Sequence, residues 1–345
     1  MFFFIFVIIL VPVIIISAGA YFSAPVYKGP VSNHFDGKKF INPGGVQEQS
    51  FSDVLKWMFE RKRGEWKEDK TEAYGKRPLE WERESIRITF VNHSTFLIQV
   101  DGMNFLTDPV WSTRTSPFTW AGPKRMRLPG IKLEDLPRIH AVLLSHNHYD
   151  HLDLPTMRTV FGAHHPKIVT PLGVKAFLDN ESISGSAELD WWQEIKLNDS
   201  ISVLCVPAQH FSARGMFDRN ATLWCGYVLK TSKGNIYFAG DTGYNDKTFK
   251  MIGEKAGAMK VSLLPIGAYK PEWFMSPVHT SPEGAVKIHL DVKSGTSIGT
   301  HFGTFPLGDE GQEEPARDLK VALSKYNLNE NQFVTLKEGE GRVFE

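Results

Sequence analysis

The sequence predicts an α/β fold in which two sheets pack face to face between outer helices, an αββα sandwich preceded by an N-terminal apolar anchor. Residues 86–107 alternate apolar and polar side chains around a tight Asp101-Gly102 turn, a pattern typical of antiparallel strands. Further along the chain, short apolar runs each end in a loop that carries histidine or aspartate, and helix-like stretches follow several of them. Such mixed strands and helices favour the layered sandwich.

The anchor is predicted from the first residues of the chain. Residues 2–27 carry no charged side chain, and Phe2 to Phe22 is almost wholly apolar, which is long enough to cross a bilayer as a helix. Because Ala18-Gly19-Ala20 resembles a cleavage site, a removed signal peptide is the alternative. We therefore expect residues 1–25 to be a transmembrane-length anchor or signal segment, and the protein to be membrane-associated through it. The flanking charges do not define the side of the membrane.

The rest of the chain divides into two predicted parts. Residues 26–84 are rich in Gly, Pro, aromatic and charged residues, and we expect them to form an arm that packs on the core formed by residues 85–345. Helices are predicted at Ser52 to Glu60, Pro155 to Phe161, Leu172 to Leu178, Pro282 to Leu290 and Glu314 to Tyr326. Lys plus Arg and Asp plus Glu both number 39, so no net charge attracts the chain to nucleic acid, and no nucleic-acid partner is expected.

Two cysteines lie on strand-like runs that flank a loop near Gly215. A disulfide between Cys205 and Cys225 is one interpretation, and a pair of small buried free thiols is the favoured one. The cysteines therefore do not define the compartment of the protein.

One stretch of the chain concentrates side chains that bind metals. His146, His148, Asp150 and His151 lie within six residues, on a loop that follows the apolar run 141–144. Imidazole nitrogen and carboxylate oxygen suit zinc, and no cysteine belongs to the set. The spacing predicts that His146 and His148 share one metal, while Asp150 and His151 turn toward a second.

Three later residues, each near the end of an apolar run, complete the predicted ligand set. His210 adds a third histidine to the first metal, Asp241 bridges both metals, and His301 completes the second site. This order predicts a hydrolase with two Zn²⁺ per chain, because two divalent ions lower the pKa of a bridging water and stabilise the charge that builds on the attacked centre. Iron or manganese are alternatives for the same ligands.

Asp108 is a further candidate, in the run Leu106-Thr107-Asp108-Pro109. Its carboxylate can accept a hydrogen bond from a ligand imidazole or take the proton of the attacking water. The alternative is a turn residue before proline.

Several runs are longer than a metal motif requires. They are Phe105-Leu106-Thr107-Asp108-Pro109, Gly122-Pro123-Lys124-Arg125, Ser145 to Asp153, Leu189-Asp190-Trp191-Trp192, Ala239 to Tyr244, Pro265 to Tyr269, Trp273-Phe274-Met275 and His301 to Phe305. On these runs, from about Ile86 to the C-terminus, the chain resembles the N-acylphosphatidylethanolamine-hydrolysing phospholipase D family of the metallo-β-lactamase superfamily, and especially its bacterial branch. The resemblance implies the metallo-β-lactamase αββα sandwich and places the ligand roles on the same seven residues: His146, His148, Asp150, His151, His210, Asp241 and His301.

The resemblance also implies a reaction and two further site residues. Asp108 matches an aspartate needed for activity, and His279, which follows the Trp273-Phe274-Met275 run, matches a histidine that approaches the substrate phosphate. We expect Tyr149 to contact the substrate as well. The implied reaction is zinc-dependent hydrolysis of N-acylphosphatidylethanolamine to N-acylethanolamine and phosphatidic acid. The expected partners are the phospholipid and the membrane, and a homodimer is left open.

Other interpretations remain open from the sequence. The same metal site suits a lactone, a cyclic phosphodiester or a sugar phosphate, and a non-catalytic membrane-tethered scaffold is the least favoured reading. Phe211 to Asn220 differs from the animal enzymes, which leaves open the acyl preference and the need for N-acylation. Lys124, Arg125 and Arg127 suit either a lipid phosphate or a solvated loop, the second being favoured.

Overall fold

Two sheets form the centre of the molecule, which a computed structural model describes over residues 16–46, 49–71 and 77–345. The strands in these ranges are β1 (Ile86–Asn92), β2 (Thr95–Val100), β3 (Met103–Thr107), β4 (Ala141–Leu143), β5 (Lys167–Pro171), β6 (Ala187–Leu189), β7 (Glu194–Lys196), β8 (Ser202–Val206), β9 (Gly226–Lys230), β10 (Asn235–Phe238), β11 (Met259–Pro265), β12 (Ser294–Thr300), β13 (Phe333–Val334) and β14 (Gly341–Phe344). One seven-stranded sheet has the order β14-β1-β2-β3-β4-β5-β6, and the other has the order β13-β12-β11-β10-β9-β8-β7. The antiparallel β1, β2 and β3 confirm the predicted hairpin strands.

Helices flank the two sheets. They are α1 (Phe51–Glu60), α2 (Leu154–His164), α3 (Val174–Asn180), α4 (Asp246–Lys255), α5 (Glu272–Met275), α6 (Pro282–Asp291) and α7 (Glu314–Lys325), with 3-10 turns at Pro43–Gly45 and Leu133–Asp135. The five predicted helices are confirmed with ends shifted by a few residues, whereas α4 and α5 were not predicted. The Asn245 side chain accepts a hydrogen bond from the Thr248 N–H at the start of α4, a capping signal that marks this helix in the sequence.

Three apolar layers confirm the αββα sandwich. The inner faces of the sheets meet through side chains such as Phe90 and Phe238. On the outer face of the first sheet, α2 and α3 bury side chains such as Val160. On the outer face of the second sheet, α4, α6 and α7 bury side chains such as Phe249 and Leu323. Cys205 and Cys225, inside the central layer, are both buried and free, as the favoured interpretation predicted.

The predicted anchor, and with it the prediction of a membrane location through an N-terminal apolar segment, is corrected by the structure. In the described ranges, no helix combines the length and apolar character needed to cross a membrane. Residues 16–22 are helical, and the Phe22 ring at the end of this helix lies 5.5 Å from that of Phe118. After the helix, the Ala24 N–H donates to Asp218 Oδ2 at 2.7 Å. The apolar composition that predicted an anchor therefore serves contacts with the protein itself here. Residues 1–15 of the predicted segment lie outside the described residues.

The segment between residues 26 and 84 contacts the second half of the chain. Phe35 and Phe40 are buried against Leu223 and Trp224. The Phe40 N–H donates to the Asn220 carbonyl at 2.8 Å. The boundaries proposed for this arm at residues 25 and 84 remain a prediction.

We expect Phe90→Ala to lower the free energy of unfolding by about 3–5 kcal/mol, because it opens a cavity between the sheets. Phe90 is 1% exposed, whereas Phe59 on α1 is 88% exposed, so Phe59→Ala is a control with the same chemical change and an expected effect below about 0.5 kcal/mol. Urea denaturation of the two variants measures the difference. Equal losses would contradict this assignment of the core.

Candidate metal centre

The candidate ligands lie where strands of both sheets end at one edge of the sandwich. The histidine-rich loop follows β4, whereas His210, Asp241 and His301 follow β8, β10 and β12. β10 and β12 both run parallel to β11, and β8 runs in the same direction because β9 is antiparallel to both β8 and β10. The carboxyl ends of β8, β10 and β12 therefore lie at one edge of the second sheet. Gly240 lets the loops approach closely: it has φ +61°, and a Cβ there would lie 2.6 Å from Ser145 Cβ.

Three histidines form the first group of candidate ligands. His148 Nδ1 lies 2.9 Å from His146 Nε2 and 3.2 Å from His210 Nε2. Burial holds the pKa of His146 and His210 well below the usual value and lowers the pKa of His148 to about 3, so the rings are neutral and present lone pairs. Zinc–nitrogen distances of 2.0–2.1 Å in a tetrahedral site imply nitrogen–nitrogen separations of about 3.3 Å, which these rings approach.

The second group combines a carboxylate with two histidines. Asp150 Oδ2 lies 3.3 Å from His151 Nε2 and 3.2 Å from His301 Nε2. Burial opposes charge on both rings, but Asp241 and Asp150 outweigh it, holding the pKa of His151 well above its usual value and raising that of His301 to about 9. The carboxylates therefore create a negative environment that suits a cation.

Asp241 lies between the two groups. Its Oδ2 is 3.2 Å from His151 Nε2, 3.0 Å from His301 Nε2 and 3.7 Å from His210 Nε2. Its Oδ1 is buried without a hydrogen-bond donor among the described residues. A buried acceptor left without a partner costs about 1–3 kcal/mol, which a bound cation offsets. The imidazole nitrogens and carboxylate oxygens of the two groups therefore fit metal ions.

Asp108 contacts the imidazoles from behind. Its carboxylate accepts hydrogen bonds from the Ser145 N–H at 2.7 Å, the Ser145 hydroxyl at 2.5 Å and His151 Nδ1 at 2.6 Å. The Ser145 oxygen also lies 2.9 Å from His146 Nδ1. Because that hydroxyl donates to Asp108, it accepts from His146. One carboxylate thus orients a ring in each group, which favours the imidazole-acceptor interpretation of Asp108.

His93 joins the second group, although no motif in the sequence indicates it. Its Nε2 lies 3.0 Å from Asp150 Oδ2, and its carbonyl accepts the His301 N–H at 2.9 Å. His93 occupies the turn between β1 and β2 with φ 48°, and no spacing relates it to the histidine-rich loop. A residue in this unusual backbone conformation often lies at a functional site, but the conformation can be seen only in the structure.

The remaining predicted site residues divide into two kinds. His279 reaches the cluster, with Nδ1 3.8 Å from Asp241 Oδ2 and its ring 5.0 Å from that of His210. Tyr149 instead packs against Arg214, whose guanidinium carbon lies 3.9 Å from the ring centre. The substrate-contact role of Tyr149 remains a prediction.

The side chains of Lys124, Arg125 and Arg127 make contacts within the protein. Lys124 pairs with Glu68 at 2.8 Å and Arg127 pairs with Glu313. Arg125 is buried and donates to the Val110 and Ser112 carbonyls. These side chains tie loops together, so the structure shows them neither at the histidine cluster nor on a purely solvated loop.

A sandwich with this cluster at its edge defines a metal-dependent hydrolase. Residues 103–302 match the Beta-lactamase superfamily domain. A metallo hydrolase from the archaeon Ignicoccus hospitalis superimposes with a TM-score of 0.57 at 22% identity, covering 76% of this chain and 99% of that chain. An isothiocyanate hydrolase from Delia radicum gut bacteria gives a TM-score of 0.59 at 20% identity, with 75% and 99% covered. At these identities the two structures show the fold alone.

Sequence relatives specify the family. The N-acyl-phosphatidylethanolamine-hydrolyzing phospholipase D 1 of Caenorhabditis elegans is 40% identical over 264 residues, covering 73% of this chain and 74% of that protein. The mitochondrial N-acyl-phosphatidylethanolamine-hydrolyzing phospholipase D of Saccharomyces cerevisiae is 36% identical over 239 residues, covering 68% of this chain and 51% of that protein. The chain belongs to the N-acylphosphatidylethanolamine-hydrolysing phospholipase D family of the metallo-β-lactamase superfamily, which confirms the resemblance.

We expect Asp108→Asn to weaken metal binding by about 10–100-fold. The amide N–H₂ is a donor, so it cannot accept the hydrogen bonds that the Asp108 carboxylate receives from Ser145 and His151. Asp153→Asn is the matched control: Asp153 is 6% exposed and accepts bonds from Ser112 and Thr156, with no histidine among these partners. Competition of zinc-loaded protein with a chelator measures the affinities. An equal loss in both variants would show that Asp108 acts only on stability.

Proposed function

We propose that the chain is a zinc-dependent phosphodiesterase that hydrolyses N-acylphosphatidylethanolamine to N-acylethanolamine and phosphatidic acid. The observation that carries the proposal is the pair of facing ligand groups with the Asp241 carboxylate between them, 3.0 Å from His301 Nε2 and 3.7 Å from His210 Nε2. The nematode and yeast relatives carry the name of this reaction. The substrate is accordingly a phospholipid.

The ligand roles follow the two groups. His146, His148 and His210 would hold one Zn²⁺, Asp150, His151 and His301 would hold the second, and Asp241, which lies between the groups, would be a ligand to either. When bound, two divalent ions lower the pKa of a water and stabilise charge on the attacking and leaving oxygens of a phosphodiester.

Side chains behind the ligands fix which nitrogen faces the metals. Asp108 holds the proton on His151 Nδ1, and the Val278 carbonyl holds the proton on His210 Nδ1 at 2.8 Å. The Nε2 lone pair of each ring then faces the cluster. Such partners set ring orientation and raise ligand basicity.

His279 is the group that we assign to the substrate. It lies next to Asp241 and its side chain is 14% exposed, so a phosphate that enters the cluster can reach it. An imidazole N–H there donates to a phosphate oxygen, where negative charge increases during the attack.

Replacement of a proposed ligand tests the reaction. His148→Ala is expected to reduce ethanolamide release from detergent-dispersed N-acylphosphatidylethanolamine by more than about 100-fold, because loss of a direct ligand exceeds the loss of an outer partner. His289→Gln is the control: His289 is a buried histidine whose Nδ1 lies 2.9 Å from the Ser297 hydroxyl, and it belongs to neither candidate ligand group. Product is measured by mass spectrometry before and after zinc is removed and restored.

Two results would contradict the proposal. Full activity of His148→Ala would exclude the metal mechanism. A zinc-loaded protein that releases no ethanolamide but opens a lactone or a cyclic phosphodiester would keep the metal site and exclude this substrate.

His279→Ala separates substrate contact from metal binding. We expect kcat to fall by about 10²–10³-fold while the zinc content is unchanged, because one donor to the developing charge is lost. Zinc content is read by elemental analysis of the same samples. Loss of zinc in parallel with activity would instead make His279 a ligand.

A further inference from the structure

An asparagine in the N-terminal arm contacts the backbone of a candidate ligand. Asn42 is 5% exposed, and its Nδ2 donates to the His210 carbonyl at 2.8 Å. Its Oδ1 accepts the His210 N–H at 2.9 Å and the Trp224 indole N–H at 3.2 Å. The amide therefore binds both backbone groups of a residue that lies 168 positions later.

His210 depends on these contacts because it lies outside a strand. β8 ends at Val206, four residues before His210, so no sheet ladder fixes this part of the backbone. Asn42 substitutes for the missing neighbouring strand. The ring is then held at Nδ1 by the Val278 carbonyl at 2.8 Å, which leaves Nε2 3.2 Å from His148 Nδ1.

The arm holds Asn42 in place. Phe40 is 1% exposed and packs with Trp224, and the Ile41 N–H donates to the His34 carbonyl at 2.9 Å. On the other side of Asn42, its carbonyl accepts the Gly45 N–H at 3.1 Å within the Pro43–Gly45 turn. These contacts fix the Asn42 amide against the His210 backbone. Buried polar groups whose hydrogen bonds are satisfied are rigid.

We infer that Asn42 is a positioning residue of the metal centre, and that the arm belongs to the site rather than only covering the core. The inference rests on the proposed role of His210 as a ligand. Asn42 lies outside residues 103–302, the part that matches the superfamily domain, so this contact comes from a segment that the matched region does not include.

The test compares three variants by zinc affinity. Asn42→Ala removes all three bonds, and Asn42→Asp keeps the volume but turns an acceptor toward the His210 carbonyl. The control is Asn104→Ala: Asn104 is 0% exposed, donates to the Glu80 and Arg138 carbonyls and accepts from Gln99, with no histidine ligand among these partners. It too joins the arm to the core.

We expect both Asn42 variants to bind one of the two zinc ions about 10–100-fold more weakly in chelator competition, and Asn104→Ala to bind both ions as the wild type does. The absorption spectrum of the Co²⁺-loaded protein reports the geometry of the same site without substrate, and we expect it to change only in the Asn42 variants. Urea denaturation of the metal-free proteins records the stability that each substitution costs.

Wild-type zinc affinity in Asn42→Ala, or an equal loss in Asn104→Ala, would overturn the inference and leave Asn42 a structural residue. If Asn42→Ala does not fold, the zinc affinity of Asn42→Asp replaces it in the test, and a wild-type value there overturns the inference. The zinc readout needs no lipid, so a protein whose zinc affinity depends on Asn42 but which releases no ethanolamide would contradict the proposed function alone.

Discussion

The structure depends on holding imidazoles and carboxylates together in a buried space. Asp150 and Asp241 each lie 3.0–3.3 Å from the imidazole nitrogens of His151 and His301. Burial there removes water from each carboxylate, which disfavours its charged form. Burial alone raises the pKa of both carboxyls, and the two histidines reverse this and hold the pKa values well below the usual range. A rigid frame has to maintain this arrangement, and strand ends provide it because interiors are close-packed and deform little.

The frame acts through a layer of hydrogen bonds behind the ligands. Asp108 orients His151 directly and His146 through Ser145, so one carboxylate serves both ligand groups. Burial raises the pKa of Asp108, and the bonds from His151 and Ser145 oppose that shift. The ionised form of Asp108 therefore depends on the His151 ring that it orients. The candidate ligands and the hydrogen bonds behind them are coupled in this way.

The cluster of candidate ligands was predictable from the sequence because each member follows an apolar run that a strand explains. His146, His210, Asp241 and His301 needed only that rule and metal-ligand chemistry. His93 and Asn42 were not predictable, because their partners lie far away in the chain and no periodic pattern connects them. The anchor was wrong for a related reason: apolar composition does not say whether a segment meets lipid or protein, and the described end of that segment packs on protein.

The segment Phe211 to Asn220, which the resemblance predicts to differ from the animal enzymes, also supports the loop that carries the candidate ligands. Within it, Arg214 donates to the carbonyls of Asn147 and Leu152 at 2.7 and 2.9 Å, and so holds the loop that carries the histidine motif. Asp218 accepts the Ala24 and Arg214 N–H groups, which ties the N-terminal residues to the same loop. A changed sequence here alters the support of the ligands as well as any wall near the substrate. An acyl preference therefore does not follow from this segment alone, because its buried Arg214 and Asp218 hold the loops around the candidate metal centre.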